Sequence, residues 1–239
     1  MEETIVRTDN EIRALVSHIR NIFFFLFFVI IFLFTVAGCN RHQSQLVRFT
    51  SQDSLNIIND ILVHRTEIDS VFGHDPSSPF YRDTAVHFTG IKWFPPDVDY
   101  YFKSKLFRYE HPETVSVYGT KGEERKHLKY GYFVLEFEGK EYHLNVYKFT
   151  ANDPARFIQY RNYLSVWFTD QTTGKETYNV GRYIDVEDEK SDPNHLYVLN
   201  LNNAYNPYCA YTHFYSCAIP PKEDYLDFAV RAGEMKYHP

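Results

Sequence analysis

The chain has 239 residues, with 25 Lys and Arg against 31 Asp and Glu, which gives a net charge of −6. This balance contains no basic stripe, and it therefore argues against a nucleic-acid-binding protein. Aromatic residues make up 18% of the chain, with 20 Tyr and 21 Phe. Rings pack well on a pleated surface, so this composition favours a β-rich fold. The alternative is a set of aromatic platforms for sugars or bases.

An apolar segment without charged residues occupies positions 22–38 and follows a leader that contains arginines. A basic leader before a short apolar run is typical of a secretory signal. The sequence VAGC at 36–39 resembles the lipobox of bacterial lipoproteins. This resemblance implies cleavage before Cys39 and acylation of its side chain. The alternative is an uncleaved membrane anchor, because the apolar segment is near the lower end of bilayer-spanning length.

The predicted location in the cell follows from the lipid anchor at Cys39 and from Asn40, the residue after it. Several acyl chains hold a protein stably on a bilayer. Asn40 stands where an aspartate would favour the inner membrane, so resemblance to enterobacterial sorting favours the outer membrane, facing the periplasm. The predicted organisation is a signal peptide at 1–38, a polar tether at 39–50 and a single β-rich domain at 51–239.

The first element of the predicted domain is a helix. Apolar residues recur there at steps of three and four, the spacing of one helix face. Ser51 or Ser54 is expected to cap its N-terminus, and Gly73 with the turn residues after it is expected to end it. The apolar positions are Leu55, Ile58, Ile61, Leu62, Ile68 and Phe72.

For most of the remaining chain, the pattern predicts short strands separated by clusters of turn residues. The best-supported pair is a hairpin, in which alternating residues of 133–137 and 142–146 flank a turn at Gly139. Many short strands without helix–strand alternation predict a mainly β fold, an antiparallel sandwich or partly open barrel with one N-terminal helix. The predicted strands are 85–94, 100–109, 114–119, 127–137, 142–146, 163–168, 178–186, 195–201 and 225–233.

Two stretches hold more polar residues than turns require. In 168–186, two carboxylates and two tyrosines accompany Arg182. They form either a structural ion-pair network or a clamp for an anionic ligand. In 199–221, Asn202, Asn203 and Asn206 make a loop whose amides can bond to their own backbone.

These stretches resemble the successive motifs of the family called domain of unknown function 1684. The likeness covers 78–237 and is carried by SPFYRDTAVHFTGIKWFPPD, TDQTTGKETYNVGRYIDV, LNLNNAYNPYCAYTHFYSCAIPPKED and AVRAGEMKY. Asn200, Ala218 and Asp224 depart from the expected Asp, Pro and Asn. The resemblance supplies candidate positions and no reaction. It implies signature residues at Asp170, Gly174, Glu176, Tyr178, Gly181, Arg182, Asn202, Tyr205, Asn206, Cys209, Cys217, Glu223 and Glu234.

Cys209 and Cys217 leave four interpretations open, with a disulfide favoured because the predicted compartment is oxidising. A zinc site would use both thiols with His213 and needs a further ligand or water. A nucleophilic Cys209 with His213 as its base would have to stay reduced outside the cytoplasm. Two buried, unpaired thiols are the fourth interpretation.

Three functional hypotheses follow. The first is a non-catalytic envelope lipoprotein that binds a small polar or anionic ligand, or a protein partner. Its site would use Asp170, Tyr178, Arg182, Asn202, Tyr205 and Asn206. The second is a hydrolase-like enzyme in which Glu176, Glu223 or Glu234 acts as general base beside Arg182. In the third, the motifs only specify the fold. The sequence indicates no cofactor and no metal.

Overall fold

The computed structural model describes residues 49–81, 83 and 86–238. The predicted signal peptide, Cys39 and nearly all of the predicted tether lie outside these residues. Within the described ranges, no helix combines the length and apolarity needed to span a bilayer.

Helix α1 spans Ser51–His74 and is capped by Thr50 rather than by Ser51 or Ser54. The Thr50 hydroxyl accepts from the Asp53 amide, and the Asp53 carboxylate accepts from the Thr50 amide. This reciprocal pair is a capping box. The inward face of the helix buries Ile61, Arg65 and Phe72, whereas Leu55 and Leu62 are exposed. A charged side chain thus replaces part of the apolar stripe that the periodicity predicts.

The described residues form eight strands in three small sheets. They are β1 Tyr101–Ser104, β2 Phe107–Tyr118, β3 Glu124–Phe137, β4 Lys140–Phe149, β5 Val166–Asp170, β6 Arg182–Ile184, β7 Tyr197–Asn200 and β8 Tyr225–Leu226. The sheet orders are β1–β7, β2–β3–β4 and β6–β5–β8. Only the short β5–β8 pairing among them is parallel. The predicted mainly β class with one main helix is confirmed, and the sheets do not close into a barrel.

The predicted β3–β4 hairpin is confirmed, and in its register Phe137 lies opposite Lys140 and Leu135 opposite Tyr142. Glu138 and Gly139 form the two-residue turn with φ of 51° and 76°. Positive φ at both positions is the hairpin turn that matches strand twist. The alternation buries Phe133 and Leu135, which join the main core.

Several predicted strands are wrong in extent. The predicted 100–109 strand is divided between β1 and β2, β2 also takes in most of the predicted 114–119 strand, and the predicted 178–186 strand is reduced to β6. Within 86–94 only Trp93 makes a β-bridge, to Glu234, since Gly90 turns the backbone with φ of 88° and prolines follow at 95 and 96. The predicted 225–233 strand is reduced to β8. A short helix, α2 at Pro154–Gln159, was not predicted; it is capped by Asp153 and has proline in its first turn.

Three clusters of buried apolar residues hold these elements together. The largest fills the space between the sheets and includes Phe133, Leu144, Phe168 and Leu199. A second joins α1 to the C-terminal segments through Phe72, Phe80, Tyr211 and Tyr237. The third, around Val117, Tyr147, Trp167 and Ala218, lies beside the cavity described next.

Candidate functional site

Arg182 and Asp170, two of the predicted ligand-binding residues, form a buried ion pair. Phe168 pairs with Arg182 across β5 and β6, so the strand ends bring the two side chains together. Arg182 Nη2 lies 3.0 Å from Asp170 Oδ2, and the side chains are 0% and 1% exposed. Arg182 also donates to the carbonyls of Val230, Ala232 and Glu234. Because these bonds tie the C-terminal segment to the sheet, the geometry favours a structural role for the pair.

The predicted asparagines likewise bond to backbone. Asn202 donates to the Asp97 carbonyl at 2.7 Å and accepts from the Asp97 amide at 2.8 Å. Asn206 donates to the Met235 carbonyl at 2.9 Å. Both are buried. They fix the 202–206 loop against neighbouring segments.

The three candidate catalytic carboxylates are in different surroundings. Glu176 forms an exposed ion pair with Arg231 at 3.0 Å. Glu223 forms another with Lys129 at 2.6 Å. Glu234 is fully buried, and its Oε2 accepts from the Asn206 amide at 2.9 Å and from the Tyr211 hydroxyl. Glu234 lines a cavity.

That cavity has a volume of about 510 Å³ and is walled by α1, β3 to β6 and the loop at 203–218. The volume lies within the usual range for small-molecule sites. The wall is predominantly aromatic, and it includes both tryptophans of the chain. The rings that contribute include Trp93, Trp167, Tyr183, Tyr205, Tyr208 and Tyr215.

Unsatisfied polar atoms are concentrated at this cavity. Seven buried side-chain nitrogen and oxygen atoms of the described residues lack a hydrogen-bond partner, and four belong to residues that line it. A buried polar atom left unpaired costs about 1–3 kcal/mol, so such atoms call for an explanation. The four are Trp93 Nε1, His127 Nδ1, Asn203 Oδ1 and Glu234 Oε1.

Burial sets the protonation of two of these groups. It raises the pKa of Glu234 to about 7, against the lowering effect of the bonds from Tyr211 and Asn206. It lowers the pKa of His127 to about 4, so this imidazole is neutral at pH 7. Glu234 therefore changes from hydrogen-bond donor to acceptor across the neutral range, whereas His127 stays uncharged.

The other charged groups at the cavity wall already have partners. Arg125 pairs with Glu123, and Arg156 lies 3.5 Å from Asp153. Asp185 accepts from the hydroxyls of Tyr163 and Tyr205 at 2.9 and 3.0 Å. The charged groups of the wall are therefore paired within the protein, and aromatic rings make up much of the remaining lining.

The two cysteines are free, half-buried thiols in this structure, so the predicted disulfide is not formed there. The Cys209 amide donates to Cys217 Sγ at 3.3 Å. Hydrogen bonds, with Cys217 first, lower the pKa of Cys209 to about 6, whereas the bond to Cys209 and burial raise that of Cys217. Oxidation of this adjacent pair stays a prediction.

The zinc interpretation finds no geometric support. The His213 side chain is 80% exposed, with its Nδ1 3.7 Å from Asp83. Across the described ranges, no three His, Cys, Asp or Glu side chains are grouped to hold a metal ion. Tyr178 instead approaches Cys209, donating to its carbonyl at 3.2 Å.

The family model described as "Protein of unknown function (DUF1684)" matches residues 86–235. The chain belongs to the domain of unknown function 1684 family. It is also similar to the solution NMR structure of an uncharacterised protein of Haloarcula marismortui. The identity is 28% and the TM-score 0.55, over 78% of this chain and 97% of that one. A search of curated proteins finds no match. The predicted resemblance is confirmed.

Within this domain of unknown function 1684 chain, the cavity differs from the predicted site. Of the predicted ligand-binding residues, Tyr205 lines it, and of the predicted carboxylates, Glu234 does. Sequence reasoning missed Trp93 and His127, and it singled out the loop of Asn203 without naming Asn203 as a ligand-binding residue. The rarity of tryptophan in the chain was the one local signal for Trp93, whereas His127 is an ordinary strand position until the fold brings it to the cavity.

The departures from the family pattern have local explanations. Asp224, in place of Asn, is buried and accepts from Asn145 and Tyr147 at 2.6 and 2.7 Å. Asn200, in place of Asp, accepts from the Asn202 amide at 3.1 Å, as an aspartate could. Ala218, in place of Pro, lines the cavity and bridges to Gly119.

Proposed function

We propose that this chain is a lipid-anchored cell-envelope protein that binds a small polar ligand in the aromatic cavity. The observation that carries the ligand-binding part is the aromatic-lined cavity of about 510 Å³. A cavity of this size that combines aromatic rings with a few polar side chains has the usual form of a small-molecule site. Most of the wall comes from paired strands and a loop held by Asn202 and Asn206, so the site is largely preformed.

The test is a ligand screen of the detergent-extracted full-length chain. Trp93 and Trp167 are its two tryptophans and both line the cavity, so intrinsic fluorescence reports directly on occupancy. The screen uses sugars, nucleosides, amino acids and organic acids, with a thermal shift as second readout. We expect at least one compound to change the fluorescence and raise the melting temperature together.

A pair of asparagine variants locates the binding. Asn203→Ala removes the polar side chain of a cavity-lining residue and is expected to weaken binding about tenfold. Asn194→Ala makes the same change at an exposed position bonded to Lys105 and is expected to leave binding unchanged. A screen without any hit, or hits equally unaffected by both variants, would contradict the proposal.

The anchor part of the proposal is supported by the VAGC sequence ending at Cys39 and by the basic leader before it. The associated boundaries are a signal peptide at 1–38, a tether at 39–50 and a domain from 51. The intact mass of membrane-extracted protein tests it. We expect a chain that begins at acylated Cys39, and Cys39→Ser is expected to retain the leader. An unacylated chain starting at Met1 in the wild type would support an uncleaved anchor instead.

A second candidate function, hydrolysis, is favoured by Glu234. A buried cavity carboxylate with a pKa of about 7 is suited to general-base work at neutral pH. Arg182 is beside Glu234 but does not line the cavity, because its bonds go to Asp170 and to backbone carbonyls that include the one of Glu234 at 3.3 Å. Hydrolysis of chromogenic esters or glycosides that falls about 100-fold in Glu234→Gln would support this candidate. Equal rates in the two proteins would exclude Glu234 as the base.

A further inference from the structure

We propose that Cys209 and Cys217 form a reversible thiol–disulfide couple, in which Cys209 attacks an external low-molecular-weight disulfide and Cys217 completes the exchange. The pair is then a site of covalent redox modification. This inference goes beyond the proposed binding function and does not depend on it. It also differs from the permanent bridge expected from sequence, because it makes the reduced pair a working state of the folded chain.

The fold holds the two cysteines together without a bond between their sulfurs. The Cys209 amide donates to Cys217 Sγ at 3.3 Å, which places that sulfur against the backbone of Cys209. The Thr120 amide donates to the Cys217 carbonyl at 2.9 Å, and the Cys217 amide donates to the Thr120 hydroxyl at 3.2 Å. The Tyr178 hydroxyl donates to the Cys209 carbonyl at 3.2 Å. Both cysteines are thus positioned in the reduced state, so little further ordering is needed to join them.

The surroundings of the two sulfurs are unequal. The Tyr178 hydroxyl lies 3.8 Å from Cys209 Sγ, and the Cys217 thiol and the Thr120 hydroxyl also donate to it. These hydrogen bonds, with Cys217 first, lower the pKa of Cys209 to about 6. The bond to Cys209 and burial raise the pKa of Cys217. Because the thiolate is the nucleophile, Cys209 attacks first and Cys217 keeps its proton until the second step.

The other titratable and charged groups near the pair leave this order unchanged. Burial raises the pKa of Tyr178 and of Tyr183 above the ordinary 10, so both phenols are neutral while Cys209 titrates. Arg125 adds positive charge, which favours the thiolate form of Cys217 but acts less strongly than burial. The His213 side chain, between the cysteines in sequence, is 80% exposed and lies near Asp83.

Two observations favour a reversible couple over a permanent bridge. Both cysteines are half-buried rather than enclosed, and Cys217 lines the cavity, which gives a small reagent a route to the pair. Donors that stabilise the Cys209 thiolate also stabilise the reduced pair as a whole. A disulfide whose reduced form is stabilised in this way is easier to reduce than a structural one.

The exchange balances without any further reagent. The Cys209 thiolate attacks one sulfur of the external disulfide, the S–S bond of that molecule breaks, and its first thiolate leaves and takes a proton from solvent. Cys217 then gives its proton to solvent and attacks Cys209 Sγ in the mixed disulfide. The internal disulfide forms, and the second thiolate leaves and is protonated. The protein loses two electrons, and the external disulfide gains them.

The test starts from detergent-extracted full-length chain that is reduced with dithiothreitol, desalted and exposed to hydroxyethyl disulfide. Peptide mass mapping locates the products and reads Cys39 separately. We expect the wild type to form the internal disulfide without a lasting adduct. Cys217→Ser keeps a hydroxyl donor beside Cys209 and is expected to accumulate the mixed disulfide there. At pH 6, iodoacetamide should alkylate Cys209 in this variant about tenfold faster than Cys217 in Cys209→Ser.

A matched pair of tyrosine variants tests the role of the donor while both cysteines stay in place. Tyr178→Phe removes the hydroxyl at Cys209 and should raise the pH midpoint of Cys209 alkylation by about half a unit or more. Tyr81→Phe makes the same change at an exposed position and should leave the midpoint unchanged. Equal midpoints in the two variants would overturn the assigned activation of Cys209.

Three other results would overturn the inference. A bridge that dithiothreitol reduces only after the chain is denatured would be a permanent structural disulfide. A reduced wild type that stays reduced in hydroxyethyl disulfide, or collects adducts instead of the bridge, would show that the thiols do not act together. Alkylation of Cys217 at a rate equal to or above that of Cys209 would remove the assigned nucleophile.

Discussion

At the scale of single residues, the polar residues of the family motifs divide into two groups. Arg182, Asp170, Asn202 and Asn206 have their main bonds inside the protein, where they hold the C-terminal segment and one loop in place. Glu234 has one oxygen bonded and one oxygen unpartnered at the cavity. The sequence alone does not distinguish the two groups, because both consist of polar residues in excess of what turns require. Their burial and their bonding partners depend on tertiary contacts.

The ion pair of Arg182 is expected to be the most sensitive of these contacts. Arg182→Met leaves the buried carboxylate of Asp170 without its cation and should lower the free energy of unfolding by about 3–5 kcal/mol. Arg231→Met breaks the exposed pair with Glu176 and should leave the free energy of unfolding nearly unchanged. Urea denaturation of both variants measures the difference. Equal, small losses would show that the buried pair is not structural.

Glu234 is expected to make stability depend on pH. Burial raises its pKa from an ordinary 4.5 to about 7, so the folded protein binds the proton more tightly than the unfolded chain. The resulting stabilisation is complete below pH 4.5 and is lost as pH rises to and above 7. This stabilisation amounts to about 3 kcal/mol, because one pKa unit corresponds to about 1.36 kcal/mol.

Comparison with Glu234→Gln isolates this contribution, because glutamine keeps the shape and does not titrate. Urea denaturation between pH 4 and 8 should show the wild type losing about 3 kcal/mol relative to the variant. A difference that stays constant over this range would contradict the assigned pKa.

At the scale of elements, sequence patterns predict the helices and strands whose structure is determined by residues nearby in the chain. The β3–β4 hairpin follows from alternation and a turn glycine, and α1 follows from its apolar spacing. The 86–94 and 225–233 segments have the composition of strands. Outside β8, however, they make only single β-bridges or run as loops, and composition does not reveal which segments find a strand partner. The cavity is beyond local patterns altogether, because Trp93, His127 and Glu234 come from separate parts of the chain.

The start of α1 provides a test at this scale. Thr50→Ala removes the capping box and should cost about 1 kcal/mol of unfolding free energy. Ser51→Ala changes the exposed residue that the sequence suggested as a cap, and it should be neutral or slightly stabilising, since alanine is the better helix former. Thermal or urea unfolding of the two variants distinguishes them. A larger loss for Ser51→Ala would contradict the observed cap.

At the scale of the whole molecule, the domain combines a main core between its sheets with an aromatic cavity beside it. The cavity wall includes His64, Ile68 and Phe72 of α1, a helix that precedes the matched family range. The helix is therefore part of the proposed binding site as well as of the fold. The mainly β class was predictable from composition and spacing, whereas the cavity of the proposed binding site is assembled by tertiary contacts between distant segments.

The most direct test of the binding claim is the NMR signal of the two indole N–H groups in ¹⁵N-tryptophan-labelled full-length chain. Trp93 and Trp167 both line the cavity, so a ligand bound there changes the surroundings of their rings and should shift their resonances. We expect the Trp93 signal, assigned through Trp93→Phe, to move progressively and saturably during titration with a ligand from the screen. A ligand that binds by calorimetry and leaves both indole signals unmoved would contradict the account.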